Sequence, residues 1–336
     1  YSGGATCPSL LLEPQRTNLF TQSEYFSSYW VSNGGTRTHN QSTSPDGGQN
    51  ATEFLFNSFA SGVYTPAFAA GTYTMSIFIK PISGDGLIRL GMGLDNSQLN
   101  TSTLAITNQG TGNGSLIDYG NGWYRFITTI TTSTSTSANI YNLNNNEVRV
   151  YIYGAQVESG SYPTSYIPTY GSSVTRSEDV SLSNNIANEI GQTQGTIFFQ
   201  FNLKQTGDDW RIQISDGTFD NWIFIGVENG SVIRTYLRIG NSVYFDRNIG
   251  LQSGVTDYSV AFRYENGNSK TFMNNLSVEH TESFPSPTSA LDTIAITGSN
   301  PFGNNTSNPS NQIGLKQLLI FPEALTDSEC IKLTTI

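Results

Sequence analysis

"GTYTMSIFIKP", residues 71–81, decides the fold class. Tyr73, Met75, Ile77 and Ile79 alternate with Thr72, Thr74, Ser76 and Lys80, and a spacing of two is the period of a strand with one buried face. A helix would place its apolar residues three and four apart.

The same alternation recurs at "LIRLGMGLD" (87–95), "GWYRFITTITT" (122–132) and "EVRVYIYGAQVES" (147–159). Between these runs lie "SGDG", "TGNGS" and "YGNG", where Gly and Asn accept positive φ at little steric cost. After the polar gap "SNNIANEIGQTQ" the pattern restarts, with strands predicted over 195–205, 210–217, 221–230, 231–240 and 242–249. Glu265, Asn266, Gly267 and Asn268 sit between two β-rich arms and predict a hairpin. Near the end, Thr326 and Glu329 have the spacing of a capping box, which predicts one short terminal helix.

These elements predict an all-β chain of two tandem β-sandwiches of jelly-roll type with a short C-terminal helix. The 336 residues suit two cores better than one. The expected boundaries are 1–180 and 195–336, with a closing linker over about 162–194.

Charged residues are only 12% of the chain, against roughly 25% in an average soluble domain. Asn, Ser, Thr and Gly fill the gap, as in turn-rich extracellular β proteins. With Lys+Arg 16 against Asp+Glu 26, the net charge of −10 opposes nucleic-acid binding by counterion release. No stretch approaches the roughly 20 apolar residues that span a bilayer as a helix, so membrane insertion is not expected. Cys7 and Cys330 are the only cysteines, which excludes a disulfide framework and leaves open whether the two are bonded.

Catalytic signatures are missing from the sequence. Glycoside hydrolysis needs two carboxylates across the scissile bond, one with a raised pKa, and no E-x-D-x-x-E run occurs. His39 and His280, the only histidines, stand in polar, loop-like surroundings. A non-enzymatic chain is expected.

Binding candidates come from aromatic rings beside amide and carboxylate groups, because rings stack on sugar C–H faces while amides and carboxylates take the hydroxyls. "DDWRIQISDGTFDNW" offers Trp210, Phe219 and Trp222 with Asp208, Asp216, Asp220 and Asn221. Trp210 has two readings, a ligand contact at a loop edge or a core residue. Tyr25 and Tyr29 flank Trp30 in the first domain and are further candidates. "YPTSYIPTYGSSVTRSED" (162–179) poses the same choice for Tyr162, Tyr166 and Tyr170: a sugar platform, or packing between domains. A proline-fixed backbone favours packing, which assigns Tyr166, Ile167 and Pro168 to the interdomain contact and Arg176 to a nearby carboxylate or carbonyl.

Three stretches in order, "LLLEPQRTNLFTQSEYFSSYW" (10–30), "GNGWYRF" (120–126) and "IYGAQVESGSYPTSYIPTYGSSVTRSED" (152–179), resemble a module of phage tail and fibre proteins that is similar to carbohydrate-binding jelly rolls. Residues 195–336 resemble a laminin G-like, or concanavalin A-like, lectin domain through "AFRYENGNSKTFMNN" and "KQLLIFPEALTDSECIKL". The resemblance implies a virion location, a homotrimer, other virion proteins as partners, and binding of bacterial surface polysaccharide without cleavage. Two alternatives stay open: accessory domains of a polysaccharide lyase or glycoside hydrolase, and a purely structural virion decoration. Related jelly rolls hold a structural calcium near the "SEYF" position, which implies Glu24 as a ligand, with Gln156 or Glu158 standing where the usual acidic partner would be.

Overall fold

The computed structural model describes residues 10–179, 181–203, 210–228, 230–297 and 313–335. Among the described residues the chain is all-β apart from the helix Asp327–Thr334, and it divides into two compact units.

Residues 16–176 form the first unit. One sheet runs, in spatial order, Ile106–Gln109, Asp95–Asn100, Leu87–Met92, Thr136–Asn142, Gly62–Phe68, Val31–Ser32. The other runs Asn113–Gly120, Trp123–Thr132, Gly71–Ser83, Val148–Ser159, Ala51–Phe56, Thr36–Ser42. Every pairing is antiparallel, and the core between the sheets holds Met75, Ile77, Ile79, Leu90, Phe126 and Ile152. The alternation read from residues 71–81 is therefore real, but the far face is not open to water: Thr74 and Ser76 are 1% exposed and Phe78 5%.

The second unit contains the described residues on both sides of the first, with two further six-stranded sheets. One is Leu10–Leu12, Ile313–Phe321, Gln194–Leu203, Asp257–Glu265, Ser269–Met273, Leu276–His280; the other is Ser181–Ser183, Thr293–Thr297, Trp210–Ser215, Trp222–Glu228, Val232–Ile239, Ser242–Gly250. The expected hairpin forms, with Val260 opposite Met273, Asn268 N–H donating to the Glu265 carbonyl at 2.9 Å, and Gly267 at φ 72°. The helix carries the full capping box: Thr326 accepts from Glu329 N–H, and the Glu329 side chain accepts from Thr326 N–H.

The units part at other residues than the expected 180 and 195. Leu10–Leu12 pairs with Ile313–Phe321, and Leu12 is 6% exposed in the second core, so the N-terminal strand belongs to the second unit. The first unit is an insertion. Its entry, Arg16–Asn18, and its exit, Val174–Arg176, pair antiparallel with Arg16 opposite Arg176. Just outside that pair, Asp179 N–H donates to the Glu13 carbonyl at 2.9 Å, and Glu13 N–H donates to the Asp179 carboxylate at 3.0 Å. Which sheet edge a three-residue apolar strand completes is a long-range matter that its own sequence does not encode.

Candidate functional site

The segment Tyr162–Tyr170 returns across the second face of the Gly71–Ser83 sheet and explains why that face is dry. Arg125 donates to the Thr164 carbonyl at 2.7 Å, and Glu158 accepts from Thr164 N–H at 3.0 Å and from its hydroxyl. Gln156 accepts from Ile167 N–H at 2.7 Å, and Asn18 donates to the Ile167 carbonyl at 2.8 Å. The Tyr166 ring packs edge-on against Phe78 at 6.0 Å and Tyr153 at 5.4 Å.

These contacts correct the interdomain assignment. Tyr166 and Ile167 are anchored on residues of their own unit and Pro168 is exposed; Arg176, whose side chain was expected to meet a carboxylate or carbonyl, stands opposite Arg16 in the backbone ladder that closes the unit. The proline-fixed backbone does hold the tyrosine against a sheet, but the sheet is the one just completed.

The strap also delivers hydroxyls to one carboxylate. Glu24, 7% exposed, receives Tyr170 Oη at 2.9 Å, Tyr153 Oη at 3.2 Å and Tyr166 Oη at 3.3 Å, all at Oε1. Tyr166 also shares a 2.6 Å hydrogen bond with the Ser23 hydroxyl. Tyr153 has one proton and two carboxylates in reach; Asp46 at 2.7 Å is the nearer and takes it. Partial desolvation works to raise the pKa of Asp46, but hydrogen bonds from Ser44, Tyr153, Gly48 N–H and Asn50 outweigh it and hold it at about 2. Burial and the Glu24 carboxylate push the Tyr170 phenol up to about 12, and burial raises Tyr153 and Tyr166 as well. Near neutral pH these phenols are proton donors and Asp46 is an acceptor.

Neither Glu24 nor Asp46 takes part in an ion pair among the described residues. Around them the surface carries two open rings, Tyr170 at 66% and Tyr25 at 46% exposure. Tyr25 leans on the His39 ring at 5.3 Å, and His39 Nδ1 lies 2.9 Å from Thr52 Oγ1. The patch therefore combines ring faces for apolar C–H surfaces with carboxylate oxygens for hydroxyl donors. Tyr29 is not part of it; that ring packs against Phe20 and Trp30 at the core margin.

The calcium implied at Glu24 does not fit. Calcium takes six to eight oxygens, yet Gln156 and Glu158 are committed to the strap backbone, Glu24 is surrounded by phenols, and among the described residues no three His, Cys, Asp or Glu side chains cluster.

In the second unit the expected residues separate. Trp210, 1% exposed, stands edge-on to Phe199 at 5.4 Å and Phe201 at 4.8 Å, so it is a core residue. It shares the inward parity of Ile212 and Ile214, which outweighs its nearness to a loop. Asn221 is fully buried and saturated: its amide donates to Asp216 at 2.6 Å and Thr288 Oγ1 at 2.8 Å, and its oxygen accepts from Gly240 N–H at 3.1 Å and Thr288 N–H at 3.2 Å. Asp216 closes the turn onto Thr218 N–H at 3.0 Å, and Asp220 is exposed. Phe219 stands at 90° to Trp222, 5.5 Å away, and Trp222 is 7% exposed. Asp208 lies outside the described residues.

Sequence reading did not single out Tyr153 or Asp46. Tyr153 was legible: in "VRVYIYGAQ" it falls with Tyr151 on the parity opposite Val150 and Ile152. Asp46 was not, because only the fold brings its loop to a tyrosine 107 residues away.

No family model matches the chain, and no curated protein matches it. Among solved structures, the chain is similar to the CBM40 module of a Ruminococcus gnavus IT-sialidase bound to alpha2,3 sialyllactose, with 17% identity and a TM-score of 0.34 over 44% of this chain and 85% of that one. It is also similar to the CBM22 tandem of Paenibacillus barcinonensis Xyn10C, with 9% identity and a TM-score of 0.29 over 95% and 99%. The LG4-5 domains of the mouse laminin alpha1 chain share 10% identity with a TM-score of 0.29 over 82% and 91%.

Proposed function

We propose that the chain binds a bacterial surface polysaccharide without cleaving it, as part of a phage tail fibre or related virion protein. The observation that carries this reading is the patch on the first unit, where the exposed Tyr170 and Tyr25 rings border Glu24 and Asp46. A sugar ring laid on Tyr170 would turn its hydroxyls toward carboxylates already oriented by phenols, so little side-chain entropy is lost on binding.

Non-cleavage is supported by the direction of the pKa shifts. A general acid for glycoside hydrolysis needs a raised carboxyl pKa, whereas hydrogen bonds hold Asp46, the exposed carboxylate of the patch, below the usual range. The virion setting is supported by the resemblance of residues 10–179 to tail and fibre modules. A homotrimer follows as part of that setting, since shallow single sites gain avidity from repetition.

The test is retention of the purified chain on a panel of immobilised capsular and O-antigen polysaccharides, followed by assay for reducing ends and unsaturated products. Retention without products, weakened at least tenfold by Tyr170→Ala while the chain stays folded at the assay temperature, is the expected result. New products would make it an enzyme, and no retention on any polysaccharide would leave the structural-decoration reading. A solution mass near three times 36.6 kDa is expected.

A further inference from the structure

The second unit carries polar groups that its own folding leaves unsatisfied. Strands Trp210–Ser215, Trp222–Glu228 and Val232–Ile239 send Ile212, Ile214, Ile223, Ile225, Ile233 and Leu237 into the core. The two-residue period then places Gln213, Trp222, Phe224, Tyr236 and Arg238 together on the opposite face. Register makes them contiguous: Gln213 is opposite Phe224, Phe224 opposite Tyr236, and Trp222 opposite Arg238. Phe224 and Tyr236 stack at 5.0 Å and 14°, and Trp222 stands 5.3 Å and 5.2 Å from them.

Arg234 lies over Phe224 at 5.5 Å but is neutralised by Glu228 at 2.9 Å and Asp246 at 2.6 Å. Among the described residues Arg238 has no such partner. Its Nε is buried without a hydrogen bond, and so are Trp222 Nε1 and both amide atoms of Gln213, a side chain 1% exposed. A buried polar group left unpaired costs about 1–3 kcal/mol, so three of them on adjacent strands call for an occupant.

We propose that this face binds an acidic sugar, with the carboxylate on the Arg238 guanidinium and the Trp222 indole N–H and a neighbouring hydroxyl on the Gln213 amide; this rests on the glycan-binding reading above. A planar carboxylate matches the guanidinium fork bidentately. The aromatic surroundings lower the local dielectric and strengthen that pairing. Because the indole N–H and the amide are already dehydrated, binding to them displaces no water from the protein. Charge selects this face over the first unit's patch: on a chain of net charge −10, Glu24 and Asp46 would repel a carboxylate that Arg238 attracts. Arg238 is half-buried, whereas the Gln213 amide and the Trp222 indole N–H are closed from water, so binding to those two moves a bordering side chain, and Trp222 emission reports it.

The test titrates the whole chain with oligogalacturonate, oligoglucuronate and N-acetylneuraminic acid, each beside its methyl ester. At least one acid is expected to bind tenfold or more tighter than its ester and to change Trp emission, with the change absent in Trp222→Phe. Arg238→Gln should abolish the preference at an unchanged melting temperature, and Arg238→Lys should keep part of it. Equal binding of acid and ester, a preference surviving Arg238→Gln, or no binding of any of the three acids overturns the proposal. Neutral-glycan retention through Tyr170 persists in those cases, so the first unit's reading stands or falls separately.

Discussion

Tyr170 donates its hydroxyl to Glu24 at 2.9 Å across 146 residues of sequence, joining the end of the first unit to its beginning. The same carboxylate oxygen meets Tyr153 and Tyr166, so the closing strap and the patch that exposes Tyr170 are one structure seen from two sides. Variants in it therefore separate into those that loosen the strap and those that alter the surface.

Tyr166 belongs to the first kind. Tyr166→Phe removes the hydroxyl shared with Ser23 and Glu24 and should cost about 1 kcal/mol. Tyr166→Ala also removes the ring from Phe78 and Tyr153 and should cost about 3 kcal/mol. Thermal and urea unfolding of both variants check this; an unchanged midpoint for Tyr166→Ala would show that the strap contributes no stability.

Trp210→Ala should destabilise the second unit by about 3–5 kcal/mol, because it opens a cavity beside Phe199 and Phe201. Polysaccharide retention by the remaining folded protein should not change. A selective loss of retention would return Trp210 to the binding surface.

His280 makes the second unit acid-sensitive. Its ring is 1% exposed, stacks on Phe245 at 4.9 Å and contacts Thr271 Oγ1 at 2.9 Å. Burial lowers its pKa from 6.5 to about 4, with Glu282 pulling it up and Arg247 down. Below pH 6.5 the unfolded chain takes up a proton that the folded chain refuses until about pH 4, so stability falls across that window and is full above it. The loss by pH 5 should be up to about 2 kcal/mol, read as a fall in melting temperature that His280→Gln flattens. A variant with the same pH profile as the parent chain would rule this out.

Cys330 is fully buried at the helix, and burial pushes its thiol up to about 11 despite the lowering influence of Arg263. In a Cys7→Ser background it should resist a thiol reagent at pH 8 and react fully once guanidinium unfolds the chain. Rapid labelling of the native protein would contradict the burial.

Much of this was legible in local sequence. The two-residue period of "GTYTMSIFIKP" marks Met75, Ile77 and Ile79 as core, and the turn and capping residues mark the Glu265–Asn268 hairpin and the terminal helix. The site was less legible. Tyr25 was singled out only by its neighbourhood, and Trp210 kept two readings, ligand contact or core, because its loop edge and its strand parity pointed apart; the structure puts it in the core. Tyr166 was read as facing another domain because nothing in "SYIPT" says which sheet it folds back on.

By itself the sequence determined the strand period, the turns, the cap and the scarcity of charge, all of which are set by neighbours a few residues apart. Only the tertiary structure decided that Leu10–Leu12 completes the second unit and that Tyr170 reaches Glu24. It also decided that Gln213, Trp222 and Arg238 share a face with their polar atoms unpaired. The reason is physical: pairing of distant strands is chosen by the burial and hydrogen bonding of whole sheets, and no short stretch carries that information.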